Sequence, residues 1–320
     1  MNDLRGRIIL AATAGLAVIA IMSILVITPA SMTAQPAFSD WGPAQLVPGI
    51  NSTANDAGPA LSKNGLSLYF DSNRGGGLGG SDIWVSQRKS TDEPWGPPIN
   101  VGPVNSTATD AAPNLSRDGH WLFFMSMRPG SLLTNGVPGF DIWVSYRDHV
   151  HDDFDWQLPV RLEGPVNSSG FDQNPFFLDN EEIGVPQLFF GKTIPNQNEI
   201  YVSNRLPDGS FGPPEPVVEL NTTANERGIS IRFDGLEVVI MSNRAGGRGL
   251  QDLWTANRES VLDPWPIPAN LGALVNSTAG DFDPHLSSDR ETLYFMSNRT
   301  GGIGGQDLYV TTRIKLRGKP

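Results

Sequence analysis

The 320-residue chain contains no cysteine. That excludes disulfides, thiolate-bound zinc and cysteine nucleophiles, and it excludes the lipid-bearing cysteine that tethers many exported bacterial proteins. Positive charge is also short: 23 Lys and Arg stand against 34 Asp and Glu, a formal net charge of -11. Such a surface repels nucleic acid phosphates and anionic lipid headgroups, so neither is expected as a partner. Helical patterning is missing beyond the first 35 residues. What is plentiful is turn chemistry, with 35 Gly and 26 Pro, which points to many short strands.

The N-terminus stands apart. Arg5 and Arg7 precede an uncharged apolar run from Ile8 to Ile27. A cationic flank followed by an apolar stretch is read by the export machinery, with the arginines left inside. The run is long enough to span a bilayer, and the small residues Ala30 and Ala34 that follow suit cleavage. Residues 1–34 are therefore a signal peptide or an N-terminal membrane anchor. The remainder is expected outside the cytoplasm: periplasmic, extracellular or held to the outer face of the inner membrane.

From residue 35 the chain repeats. An Asn-Ser/Thr pair recurs at Asn51, Asn105, Asn167, Asn221 and Asn276, at intervals of 54, 62, 54 and 55 residues. Five residues after each Asn comes an acid: Asp56, Asp110, Asp172, Glu226, Asp281. A short apolar strand follows, then an Asn-Gly or Asp-Gly pair that suits a two-residue hairpin, then a second strand apolar on both faces. Beyond a Gly-rich loop, a third strand opens with an acid and closes with Arg, as in Asp82 and Arg88 or Asp307 and Arg313. The unit ends on an aromatic with prolines, as in Trp95-Gly96-Pro97-Pro98. Proline cannot donate to a ladder, which makes this an outer edge strand.

Four antiparallel strands repeated five times predict an all-β fold: a five-bladed β-propeller with four-stranded blades over residues 35–320. The fifth unit has no Trp-Pro segment after its third strand. The missing copy is Trp41-Gly42-Pro43, ten residues before Asn51, the spacing that separates Trp95 from Asn105. Strand 41–47 is thus expected to complete the last blade and close the ring.

The pattern Pro-x-Leu-Ser, Asp-Gly, Leu-Tyr-Phe-x-Ser-Asn-Arg-x-Gly-Gly, Asp-Ile-Trp-Val resembles the WD-type repeats of the TolB-like propeller family over about residues 38–314. Unit five carries it as Pro284-His285-Leu286-Ser287 with Leu293 to Arg299. The resemblance implies a periplasmic or surface scaffold that binds proteins or envelope components.

Candidate site residues follow from the repeat and from its breaks. The acids Asp56, Asp110, Asp172, Glu226 and Asp281 would ring one channel mouth. They either hold a cation or, as recurrence in every unit favours, accept hydrogen bonds in their own turns and pair with Arg74, Arg128, Arg244 and Arg299. Unit three has Ile194 where that Arg belongs. The Gly-rich loops join strands and lack Gly-Lys-Ser/Thr, so they are hairpin loops and not phosphate cradles. Unit two carries two insertions, and propeller insertions commonly mark one binding face. One, with His149, His151, Asp152, Asp153 and Asp155, has ligands for a divalent metal; the other, Leu132 to Phe140, is apolar enough to touch a partner. No other cofactor is expected. Asp71 is an off-repeat acid, mid-strand where the other units have Met125, Gly191, Met241 and Met296; Asp179, Glu181 and Glu182 are off-repeat as well.

Two functions remain. The reading favoured by the motifs is a non-catalytic scaffold for proteins or envelope components. The alternative is a carbohydrate-active propeller, glycosidase or glycan-binding, that uses off-repeat carboxylates at the channel mouth. Glycoside hydrolysis needs two carboxylates in different roles, and the residues supply Asp71 without an evident second.

Overall fold

The computed structural model describes residues 38–316 apart from 181, 182 and 196. The N-terminal segment 1–34 lies outside the described residues, as do Glu181 and Glu182. No helix among the described residues is long and apolar enough to cross a membrane.

The chain forms five four-stranded antiparallel sheets. Blades 1 to 5 open with the innermost strands Asp56–Leu61, Asp110–Leu115, Asp172–Leu178, Glu226–Ile231 and Asp281–Leu286. In blade 1 the second and third strands are Ser67–Ser72 and Asp82–Gln87, and the fourth is only Ile99–Asn100. The Trp-Pro segment leads into the fourth strand instead of forming it. The fourth strand of blade 5 is Gln45–Leu46, paired antiparallel to Asp307–Thr312, so the ring closes through the N-terminal strand. The face carrying the starts of the innermost strands is called upper here. Loops between second and third strands lie on it, and loops between third and fourth strands lie on the lower face.

Apolar layers fill the spaces between adjacent blades. Between blades 1 and 2, for example, Tyr69, Ile83 and Val85 meet Leu122, Phe124 and Trp156. Around the axis, in four of the five blades, a Trp before the fourth strand packs back toward the preceding blade. The Arg that closes the third strand lies over that Trp: Arg88 on Trp95 at 4.2 Å, Arg147 on Trp156 at 4.4 Å, Arg258 on Trp265 at 4.0 Å and Arg313 on Trp41 at 4.3 Å.

The repeat motif is explained by two polar devices. Each motif Asn turns its side-chain amide onto the third strand of the blade before it and pairs with both backbone groups of one residue. Asn105 accepts from Ile83 N–H at 2.7 Å and donates to Ile83 C=O at 2.9 Å. Asn51 does the same to Leu308, at 2.7 and 2.9 Å, across 257 residues of chain. The second device is the acid five residues on. Asp56 accepts from Ser52 N–H and Oγ, from Ser72 Oγ at 2.6 Å and from Arg74. In blade 3 the expected Arg is absent, and Lys192 on the second strand reaches Asp172 at 2.9 Å instead. Lys192 pairs opposite Asp172 as Ser72 pairs opposite Asp56, so one ammonium replaces a hydroxyl and a guanidinium.

One local expectation is corrected. In the repeat hairpins only the glycine of the Asn-Gly or Asp-Gly pair has positive φ, as at Gly65 (φ 74). Asn64 Oδ1 accepts from Leu66 N–H, and Gly65 N–H closes onto Ser62 C=O, which gives a four-residue loop. The Gly-rich loops owe their composition to close backbone approach: a Cβ on Gly79 would sit 1.9 Å from the carbonyl oxygen of Ala108 in the next blade.

Replacing Asn51 by Ala strands the Leu308 amide and carbonyl in a buried setting and should cost about 2–4 kcal/mol. Urea unfolding would measure it, and a loss below about 0.5 kcal/mol would mean that the fourth strand alone holds the closure. Lys192→Met leaves Asp172 buried without its cation and should cost about 3 kcal/mol by the same measurement. Full stability in that variant would place the charge balance of blade 3 elsewhere.

Candidate functional site

The five repeat acids are fully buried and committed to their turns by the bonds just described. The unit-two insertions lie on opposite faces, not on one. The Leu132–Phe140 segment follows a second strand and rises on the upper face, where Thr134 Oγ1 donates to Ser169 C=O at 2.8 Å. The His149–Asp155 loop follows a third strand and sits on the lower face. There Asp153 is buried and accepts from Ser67 Oγ, Tyr69 Oη, Gln87 Nε2 and Arg147, which clasps blade 2 to blade 1. Asp155 hydrogen-bonds His149 at 2.7 Å in solvent, which holds the imidazole pKa above its ordinary value. His151 and Asp152 remain exposed, and no three His, Asp or Glu side chains among the described residues gather at metal-ligand spacing.

A different cluster forms on the axis. Every innermost strand has a β-bulge two residues after its acid, seen as a register shift between residues such as Ala57 and Ala60. The bulge turns one residue per blade toward the channel: Gly58, Ala112, Asn174, Gly228 and Asp283. Ala112 (φ 49), Asn174 (φ 50) and Asp283 (φ 49) occupy the left-handed region, which Asn and Asp tolerate better than other side chains. Because these residues belong to different strands, the repeat leaves their identity free.

Asp283 is the carboxylate that sequence reasoning missed. Aligning the position two after each repeat acid would have exposed it, since the other four are Gly, Ala, Asn and Gly. Its Oδ1 accepts from Asn174 Nδ2 at 2.8 Å, reaching from blade 5 to blade 3 across Gly228. A Cβ on Gly228 would stand 3.2 Å from that oxygen. Burial raises the Asp283 pKa, and the Arg227 charge opposes the rise. Arg227 enters the axis because blade 3 has Gly191 where blade 1 has Asp71; a Cβ there would lie 2.6 Å from Arg227 Cβ. The buried Arg227 Nε has no hydrogen-bond partner among the described residues.

Asp71 comes to the same place from the second strand of blade 1. It accepts from Ala112 N–H at 3.0 Å and Ser81 Oγ at 3.0 Å. Burial pushes its pKa up to about 7; those two bonds lower it and the charge of Asp283 adds to the rise. Among the described residues no cation stands beside Asp71, whereas Arg227 opposes the rise at Asp283; Asp71 keeps its proton toward neutrality. His285, two residues beyond Asp283, hydrogen-bonds the backbone of Leu61, and burial lowers its pKa to about 4, so the ring is neutral. The axial cavity lined by Asp283, His285, Asn174 and Asn114 has a volume of about 30 Å³, room for a water or a small ion. Asp179 is exposed at the far end of its strand and takes no part.

No protein-family model and no curated protein sequence matches the chain. Solved structures do. An α-L-arabinofuranosidase from Lactobacillus brevis aligns with TM-score 0.56 at 13% identity, over 85% of this chain and 94% of its own. The endo-arabinase of Bacteroides thetaiotaomicron aligns with TM-score 0.56 at 17% identity, over 88% and 99%. A family 117 glycoside hydrolase from the marine bacterium Zobellia galactanivorans gives 0.53 at 12%, over 87% and 89%. These neighbours correct the resemblance drawn from the repeat motifs: they are glycoside hydrolase propellers, not TolB-like or WD-repeat ones. The non-catalytic scaffold for proteins or envelope components is set aside with it. Its sequence support was that motif resemblance, and Asp283 supplies the second off-repeat carboxylate that the alternative had lacked.

The axial carboxyl makes a stability prediction whose sign differs from that of an ordinary paired Asp. A folded-state pKa raised from 3.8 to about 7 means that the folded chain holds the proton more tightly. The resulting cost is absent below the unfolded value and fully present above about pH 7. Asp71→Asn keeps the acceptor for Ala112 and never ionises. It should stabilise the fold by a few kcal/mol at pH 8, with the gain shrinking as the pH falls from 7 toward 4. Thermal unfolding across that range would check it; a difference independent of pH would show that Asp71 does not titrate there.

Proposed function

We propose that this propeller is an exported carbohydrate-active protein, a glycoside hydrolase whose working pair is Asp71 and Asp283. The observation that carries the reading is the approach, at the upper end of the axial channel, of two off-repeat carboxyls in different electrostatic settings, only one of them with an arginine charge acting on it. Glycosidic cleavage asks for one carboxyl that donates a proton to the leaving oxygen and another that is ionised in the same pH range. Asp71, protonated up to about pH 7, suits the first role. Asp283, beside Arg227 and held by Asn174, suits the second. The five-bladed enzymes that share this fold, among them an arabinofuranosidase and an endo-arabinase, support the same direction and make arabinose-containing polysaccharides the first substrates to try. The apolar run before residue 28 would deliver the protein to where such polymers are met.

One observation favours a second reading, glycan binding without turnover. The 30 Å³ cavity is too small for a sugar ring, so a glycan end must sit above it, on the upper face.

The test is release of reducing sugar from arabinan, arabinoxylan and a panel of other polysaccharides by the purified chain. Asp71→Asn and Asp283→Asn should each lower the rate by about 100-fold or more, and the wild-type rate should fall above pH 7 as Asp71 ionises. Retarded migration in glycan-containing gels without sugar release would favour the second reading, and neither effect with any glycan would sink both.

A further inference from the structure

Blade 3 breaks the repeat at a place far from the axial carboxylates. In the other four blades a Trp precedes the fourth strand and the blade's own Arg lies over it within 4.0–4.4 Å. Blade 3 has Phe211 there, which packs edge-on against Phe123 and Phe177 at 6.4 and 6.3 Å. The smaller ring leaves space. A cavity of about 160 Å³ opens on the lower side between blades 2 and 3, walled mainly by Trp121, Phe123, Phe177, Phe211 and the aliphatic Val144 and Leu162.

Arg205 stands at this cavity with its guanidinium displaced from its usual partner to the Trp121 ring of blade 2, 5.8 Å away. Its equivalents are well occupied. Arg313 makes a two-point ion pair with Glu237 of blade 4 and also donates to Arg290 C=O. Arg258 donates to two carbonyls, Gly235 and Asp263. Among the described residues the Arg205 guanidinium makes one hydrogen bond, a long one to Gly209 C=O at 3.4 Å. The cause is visible in the sequence position that faces it. Blade 4 presents Glu237 to the next blade's Arg, whereas blade 2 presents Trp121, which has no acceptor. The far side of Trp121 is already covered by Tyr146 at 4.8 Å, so the indole is fixed as a wall.

We infer that this cavity is a binding site for a small aromatic carboxylate. Its apolar walls take a planar ring in the space that an indole fills in the other blades, and the guanidinium, without a carboxylate partner among the described residues, takes the anionic group at the rim. Apolar cavities of about 150 Å³ are known to admit a single benzene-sized ring. A sugar ring suits the walls poorly, because its hydroxyls would find almost no partners inside. The site is independent of the proposed hydrolytic pair, lying on the lower side between different blades and sharing no lining residue with the axial cavity.

The experiment is isothermal titration of the full chain with indole-3-acetate, with neutral indole as comparator. Indole-3-acetate should bind, with indole about tenfold weaker because it lacks the charge-assisted bond. Arg205→Gln should bring indole-3-acetate down to the affinity of indole. Phe211→Trp restores the repeat's own filling and should abolish binding of both while raising the melting temperature. No binding to the wild type at millimolar ligand would overturn the proposal. So would unchanged binding in Phe211→Trp, or equal affinities for indole-3-acetate and indole in the wild type. Should Phe211→Trp fail to fold, the Arg205→Gln variant and the neutral comparator still decide the question.

Discussion

The fold depends on one small interaction repeated five times, the side-chain amide of an Asn set against both backbone groups of a residue in the preceding blade. A blade's fourth strand is only two residues long, too short to satisfy the third strand along its length. The Asn amide supplies one more donor and one more acceptor in the geometry of a strand, and it does so from the turn that begins the next blade. Each blade is thereby tied to its successor by the same group that starts the successor's chain direction. At Asn51 the partner is Leu308, so the device that spaces the blades also closes the ring. The Asn-x-Ser/Thr triplets that resemble glycosylation sequons arise from this requirement, and Asn105, Asn167 and Asn276 are buried by it.

Once the outer positions are fixed by amide, acid and arginine, variety is permitted only where the blades do not need each other. The innermost strands converge on the axis without a backbone ladder between them, and side chains make the bridges there. Asp71 reaches Ala112, Asn114 reaches Phe177 N–H, and Ser230 reaches Leu286 N–H. The bridges use different residues because each gap needs only one acceptor, and chemistry bearing on function accumulates among them. Glycine at 58, 191 and 228 has the complementary role of leaving room for Asp71, Arg227 and Asp283. A charged group near the axis and the small residue facing it belong to one packing unit in different blades.

Much of this was legible in the sequence. The blade count, the strand order and the displaced closing strand at Trp41 follow from landmarks at fixed spacing, since a repeat reports its own geometry many times over. Less legible was anything that depends on the meeting of residues from different units. Lys192 stands two residues before the missing Arg, where the other units have Ser, but only its pairing opposite Asp172 shows that it compensates. Asp283 hid beside the repeat acid Asp281, where two acids in Asp-Phe-Asp-Pro read as one landmark. The insertions of unit two looked like one surface because they are near in sequence. Their separation to opposite faces follows from the antiparallel path of a single strand, Asp141–Tyr146, that lies between them.

The mistaken family resemblance has a physical origin as well. Motifs such as Leu-Tyr-Phe-x-Ser-Asn-Arg and Asp-Ile-Trp-Val describe how a blade is built: an apolar second strand, a serine–arginine pair for the turn acid, an acid that caps the Gly-rich loop and an indole against its neighbours. Any propeller that solves those problems with these side chains will display the pattern, whatever its axis holds. Function is written in the positions that the pattern leaves blank. Here those positions carry two carboxyls and an arginine at the upper end of the channel, and on the other side of the ring an arginine that has lost its tryptophan. A reading of function in repeat proteins should therefore begin from the residues that differ between equivalent positions, taken together around the axis, before the residues that recur.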